Sequence, residues 1–154
     1  MALVRFGGII HALIIEDEDI VAMAIENILR DCGFTSFDVA PSAEMAIEAA
    51  ARHTPDLITT DVQLKTGCGI AAVESIGEGQ QVPIVFVTAN AGEVLRRLPE
   101  HRVVTKPFSD TELIAAVASA MLNISGAGAI LSAKIGSRLI APPVTPSLGA
   151  NSLN

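Results

Sequence analysis

Two hydrophobic periods alternate along the first 122 residues. Residues 9–15 form a continuous apolar run rich in Ile, the pattern of a strand covered on both faces. From Ile20 the spacing changes to four. Ile20, Ala24 and Ile28, with Val21, Ile25 and Leu29 beside them, make a broad helical stripe that Gly33 stops. Residues 34–39 predict a second strand, and Ser42 caps a helix running to about Arg52. A third strand over residues 57–60 ends at Asp61, and Gly67, Cys68 and Gly69 then form a loop that opens a helix through about Ile76. Residues 83–88 are a strongly apolar fourth strand, a short helix follows near residues 93–98, and Val103 and Val104 mark a fifth strand. Ser109, Asp110, Thr111 and Glu112 read as a capping box for a last helix carrying Leu113, Val117 and Met121. Five strand–helix units without an internal repeat predict an α/β fold, a doubly wound five-stranded parallel sheet with helices on both faces.

The remaining residues, 123–154, differ in kind. They hold four Gly, three Pro and no acid. They predict a flexible tail rather than a helix, although Leu131, Ile135 and Leu139 would line one helical face beside Lys134 and Arg138. The domain is therefore expected over 1–122, with 123–154 dispensable for its folding.

Composition narrows the classes. Half of the chain is apolar, yet it has no Trp or Tyr and five Phe, so the core must be aliphatic. The net charge is −7, and no acid lies beyond Glu112. An acidic surface without basic clusters or paired aromatics argues against nucleic-acid binding. Cys32 and Cys68 lack paired spacing and read as free thiols of a reducing compartment. The apolar start has no small-residue cleavage site, and no run reaches membrane-spanning length, so a soluble cytoplasmic protein is expected. His11, His53 and His101 share no ligand spacing and predict no metal site. Arg96 and Arg97 read as a solvated helix face.

Chemistry concentrates at the strand carboxyl ends, where such sheets gather their ligands. The first strand ends in Glu16, Asp17, Glu18 and Asp19, the third in Asp61, and the fourth in Thr88; the fifth is followed by Lys106 and Pro107. Carboxylates brought into one hollow repel and call for a cation, and hard oxygen donors favour Mg²⁺. A carboxylate can itself attack a phosphoryl group. The transfer is then a matter of position and charge, with a metal, an ammonium and a hydroxyl on the phosphoryl oxygens. Asp61, Lys106 and Thr88 supply those groups from different strands.

Leu13-Ile14-Ile15-Glu16-Asp17-Glu18, Asp61 with Gly69 eight residues on, Val87-Thr88-Ala89 and Thr105-Lys106-Pro107-Phe108 resemble the receiver-domain signature of two-component response regulators over about residues 9–122. The resemblance implies a flavodoxin-like fold and a signalling module rather than an enzyme. It makes Asp61 the acceptor of phosphate from a histidine kinase or phosphotransfer protein. It also makes Asp17 a direct Mg²⁺ ligand, Glu16 a ligand through water and the Gln63 carbonyl a further ligand. Thr88 and Lys106 would bind the phosphoryl group, and the Lys106–Pro107 bond would be cis. Asp61-Val62-Gln63-Leu64 with Gly67 and Gly69, and Phe86-Val87-Thr88-Ala89, further resemble receivers of general-stress-response regulators. Those carry a sigma-factor-like domain ahead of the receiver, where this sequence has about eight residues.

Several positions depart from the pattern. Val103 stands where many receivers carry a switching Tyr or Phe, and Lys65 where many have Pro. Gln63 and Asn90 occupy positions that tune loss of the phosphoryl group. Two other readings compete: a receiver-shaped binding module that works without phosphorylation, and a haloacid-type phosphatase using Asp17 and Asp19. The second leaves Asp61 and Thr88 unexplained, and no GxxxxGK loop indicates a nucleotide enzyme.

Overall fold

A strand that is covered on both faces must be apolar or have its polar groups paired, and in the first strand only His11 is polar, its ring nitrogens meeting Ser36 and Asp38. In the computed structural model, which describes residues 8–78 and 81–122, β1 spans His11–Ile15 and all five residues are buried. The helix α1 follows over Asp19–Asp31, with β2 over Ser36–Ala40, α2 over Ala43–Arg52 and β3 over Leu57–Thr60. Next come α3 (Gly69–Gly77), β4 (Ile84–Thr88), α4 (Ala91–Arg97), β5 (Arg102–Thr105) and α5 (Asp110–Leu122). The strands pair in parallel in the order β2-β1-β3-β4-β5. The sequence order thus reverses between β1 and β3, which leaves a crevice beyond their carboxyl ends.

Period-two alternation divides the core. Ala12, Ile14, Leu57, Val85 and Val87 face α1 and α5 among Ile25, Leu29, Leu113, Val117 and Met121. Leu13, Ile15, Ile58 and Phe86 face the other side, against Ala46, Ala50, Ile70, Val73 and Val94. Apart from Phe34 and Phe86 the largest buried side chains are aliphatic or Met, as composition requires. Both cysteines are free, and burial pushes the Cys32 thiol up to about 11.

The expected elements all occur, with shifted ends. The first strand starts at His11 rather than Ile9, and the second at Ser36. Phe34 instead closes the end of α1 by donating its N–H to the Leu29 carbonyl. Pro83 precedes β4, but its carbonyl still accepts the Ile58 N–H. The short helix begins two residues earlier, at Ala91, because Asn90 serves as its cap residue. Residues 123–154 lie outside the described residues, as does the helix considered there through Leu131, Ile135 and Leu139. Among the described residues no helix is long and apolar enough to cross a membrane.

The capping box is present. Ser109 Oγ accepts the Glu112 N–H at 3.2 Å, and Glu112 Oε2 accepts the Ser109 N–H at 2.7 Å. The Ser109 backbone N–H and then its hydroxyl hold the Glu112 carboxyl below its usual range. A lowered carboxyl pKa stabilises the fold above the unfolded-state value, and that contribution disappears as pH falls through the folded-state value. Ser109→Ala should cost about 1 kcal/mol near neutrality. In denaturant melts the smaller penalty of Glu112→Gln should vanish below the ordinary glutamate range. A penalty that persists there would mean that the ionised carboxylate is not what caps α5.

Candidate functional site

The chain hydrogen-bonds Asp61 directly beyond β1, since its N–H donates to the Ile15 carbonyl at 3.0 Å. Glu16 follows Ile15 immediately, so the parallel pairing of β1 and β3 forces two carboxylates side by side. Lys106, one residue beyond β5, donates its own N–H to the Thr88 carbonyl at 3.0 Å. That bond fixes where its side chain starts, and the Lys106–Pro107 peptide that follows is cis.

The Lys106 ammonium reaches across the crevice into the acids. Nζ lies 2.8 Å from Asp61 Oδ2, 2.9 Å from Glu16 Oε1 and 3.2 Å from Glu18 Oε1. Burial disfavours the charged ammonium, but the hydrogen bonds and charges of Asp61 and Glu16 outweigh it and hold the Lys106 pKa well above normal. Glu16, 1 % exposed, has its carboxyl pushed up by burial, with Lys106 opposing and Asp61 adding to the rise. Glu16, Glu18 and Asp61 each bring an oxygen within 4.8 Å of the others. Three carboxylates against one ammonium leave two negative charges uncompensated, and the donors are all oxygen. That set fits a hard divalent cation such as Mg²⁺.

The loop after Asp61 is wound tightly around it. Asp61 Oδ1 accepts the Gln63 N–H at 3.2 Å, and the Gly69 N–H donates to the Val62 carbonyl at 2.9 Å. Gly69 sits so close that a Cβ there would meet the Asp61 carbonyl oxygen at 1.7 Å. Asp17 is turned toward this loop, its Oδ2 accepting the Lys65 N–H at 2.6 Å. The carboxylate nearest Glu16 and Asp61 therefore belongs to Glu18, which the spacing alone did not separate from its acidic neighbours. Asp19 is the exposed first residue of α1.

Thr88 is buried at the end of β4, and its Oγ1 accepts the Asn90 N–H at 3.0 Å. Asn90 occupies the N-cap position of α4 without a side-chain bond to the helix backbone, and donates its side-chain amide to Glu93 Oε2 at 3.3 Å. The hydroxyl is thus tied to the start of α4. Val103 pairs with Phe86 in the sheet and packs, half-buried, on the core side of α4.

The histidines depart from the expectation. The helix α2 runs antiparallel to the strands, so its end lies over their starts. His53, at its C-cap, stacks on His11 with ring centroids 3.7 Å apart and planes inclined by 13°. Asp38 joins them, its Oδ2 3.0 Å from His11 Nε2. His101 stays apart, edge-on to Phe86. The available signal was the strand period, which puts Ser36 and Asp38 on one face of β2 beside His11.

Comparison with known proteins agrees with this arrangement. A family model described as the response regulator receiver domain matches residues 12–118. The transcriptional regulatory protein PdtaR of Mycobacterium tuberculosis is 33% identical over 111 residues, covering 70% of this chain and 54% of that protein. The phyllosphere-induced regulator PhyR of Methylorubrum extorquens is 33% identical over 113 residues, 71% of this chain and 42% of that protein. The chain thus spans about half the length of the curated relatives it matches. Among solved structures, the PhyR receiver domain of Erythrobacter litoralis superposes with a TM-score of 0.72 at 32% identity, over 78% of this chain and 95% of that one.

Proposed function

The chain belongs to the response regulator receiver family, and from that premise we propose that it is a phosphorylation switch whose acceptor is Asp61. The observation that carries the reading is the convergence of Asp61, Glu16 and Lys106 at the switch point of the sheet. An Asp61 carboxylate oxygen attacks the phosphorus of a phosphohistidine on a kinase or phosphotransfer protein. The P–N bond breaks, the imidazole leaves with its electron pair and takes up a proton, and an acyl phosphate remains on Asp61. Lys106 follows the new charge from the carboxylate to a phosphoryl oxygen, and the Thr88 hydroxyl donates to another.

Glu16, Asp17, Asp61 and the Gln63 carbonyl would hold Mg²⁺, with Glu18 as a further carboxylate. Asp17 Oδ2 is engaged by the Lys65 N–H, which leaves its other oxygen for the ion. When bound, the cation neutralises charge on the phosphoryl oxygens and the acids. Incubation with a small phosphodonor should give one phosphoryl increment by intact mass, abolished by a chelator. No increment, or one indifferent to the chelator, overturns the reading.

A protein donor must seat its phosphohistidine beside Asp61. The groove formed by Ile20, Val21, Ala24 and Ile28 with Lys106 to Phe108 adjoins that position, and Ile20 is 81% exposed at its rim. A large aliphatic residue presented to water there suits an apolar helix of the donor. Ile20→Asp should slow phosphorylation by a cognate kinase at least about tenfold, the scale of burying one aliphatic side chain. It should leave labelling by a small phosphodonor unchanged. Equal loss with both donors would place Ile20 in the fold rather than in docking.

The switch is read through Thr88. If its hydroxyl turns to the phosphoryl group, the Asn90 N–H loses its acceptor and the start of α4 must rearrange. That is a differential contact between two states, which any population shift requires. Val103 is short and β-branched, with few rotamers to sweep through. Thr88→Ala should therefore abolish the phosphorylation-induced amide shifts over residues 89–98, whereas Val103→Ala should keep them and cost about 1 kcal/mol of packing. NMR with a phosphoryl mimic reads both, and the opposite pattern defeats the mechanism.

A further inference from the structure

We propose that His11, His53 and Asp38 form a second metal site, taking one divalent cation of the zinc class at the end of the sheet remote from Asp61. His11 opens β1 and Asp61 is hydrogen-bonded to its last residue, Ile15, so the sites are roughly 13 Å apart along the strand. Two imidazoles and one carboxylate, with water completing the shell, are a zinc-type donor set rather than a magnesium one. One ligand atom from each of the three residues lies within 4.8 Å of the others.

The first ligand is already oriented. His11 is 1% exposed, and its Nδ1 lies 2.8 Å from Ser36 Oγ, which leaves Nε2 facing Asp38. A second partner on the other ring nitrogen is the arrangement that fixes metal-binding histidines. The Nε2 to Asp38 Oδ2 distance is 3.0 Å. Two ligands of a tetrahedral zinc lie about 3.3 Å apart, from bonds of about 2.0 Å. A cation can therefore replace the shared proton with little movement of either atom. The proton passes to Nδ1, and Ser36 keeps its bond because a hydroxyl accepts as readily as it donates.

His53 supplies the third ligand. Among the described residues its ring nitrogens have no hydrogen-bond partner; the ring only stacks on His11. Stacked rings hold their in-plane lone pairs in nearly parallel planes, so His53 must pivot to converge on the ion. Its position at a helix C-cap, in reach of solvent, leaves room for that rotation. Once bound, the cation ties the end of α2 to β1 and β2.

The test is calorimetric titration of the whole chain with Zn²⁺ while Mg²⁺ saturates the acidic site. One equivalent should bind with a Kd on the order of micromolar. His53→Gln and Asp38→Asn should each weaken it at least about tenfold, and both variants should still accept phosphate from a small donor, which reports an intact fold. Asp61→Asn should leave zinc affinity unchanged, and Co²⁺ in place of Zn²⁺ should give the visible bands of a tetrahedral complex. Absence of binding overturns the proposal. So does a site indifferent to His53→Gln and Asp38→Asn, or one lost in Asp61→Asn.

Discussion

Asp61→Asn is expected to take up no phosphoryl group from a small donor under conditions in which the parent chain gains one. The amide nitrogen of Asn has its lone pair delocalised and does not attack phosphorus. Loss of the nucleophile in covalent catalysis removes at least about 10³-fold of rate, which puts labelling below detection. The fold should survive, because Asn keeps the size of Asp and an oxygen that can accept the Gln63 N–H. Lys106 retains Glu16 and Glu18 as partners. One fewer negative charge in a crowded acidic hollow should leave the metal-free fold at least as stable, which a thermal melt can check. Intact mass decides the matter: an adduct of equal stoichiometry in Asp61→Asn would mean that the phosphoryl group sits elsewhere.

The strands were legible because a parallel sheet buried on both faces demands apolar runs, and residues 9–15 and 83–88 have them but for His11 and Thr88. The ends shifted where backbone bonding decides them. Phe34 looks like strand by composition but finds its acceptor in the turn of α1. Convergence of Glu16, Asp61 and Lys106 was legible too, since each follows the carboxyl end of a strand and the sheet order puts those ends together, with Thr88 closing β4 beside them. Side-chain direction was not. Which of the acids in Glu16 to Asp19 turns inward depends on the first turn of α1 and on the Lys65 N–H, and neither leaves a mark in spacing. The pairing of His11 with His53 was hidden for a different reason. It follows from α2 returning antiparallel over the strand starts, a tertiary fact that joins residues 42 positions apart.

Gly69→Ala should be the most damaging single-methyl change in the described fold. Its Cβ would lie 1.7 Å from the Asp61 carbonyl oxygen and 2.5 Å from Thr60 Oγ1. Both atoms are anchored, Thr60 Oγ1 donating to that same carbonyl at 2.8 Å and Asp61 N–H bonding to Ile15. No flexible side-chain end can yield, so the β3–α3 loop must move and take Asp61 with it. Overpacking of this kind costs about 3 kcal/mol, which for a domain of this size lowers Tm by roughly 10 °C or more. The chemistry should suffer even where the chain stays folded, since displacing a reacting group by a fraction of an ångström costs about tenfold or more in rate. Gly77→Ala is the control: a Cβ there has nothing within 4 Å, and it ends the same helix. It should be neutral or stabilise by up to about 1 kcal/mol. Melting and small-donor phosphorylation of the two variants separate the outcomes. If Gly69→Ala melts and labels like Gly77→Ala, the close approach of the Gly69 backbone to Asp61 is not what positions the acceptor.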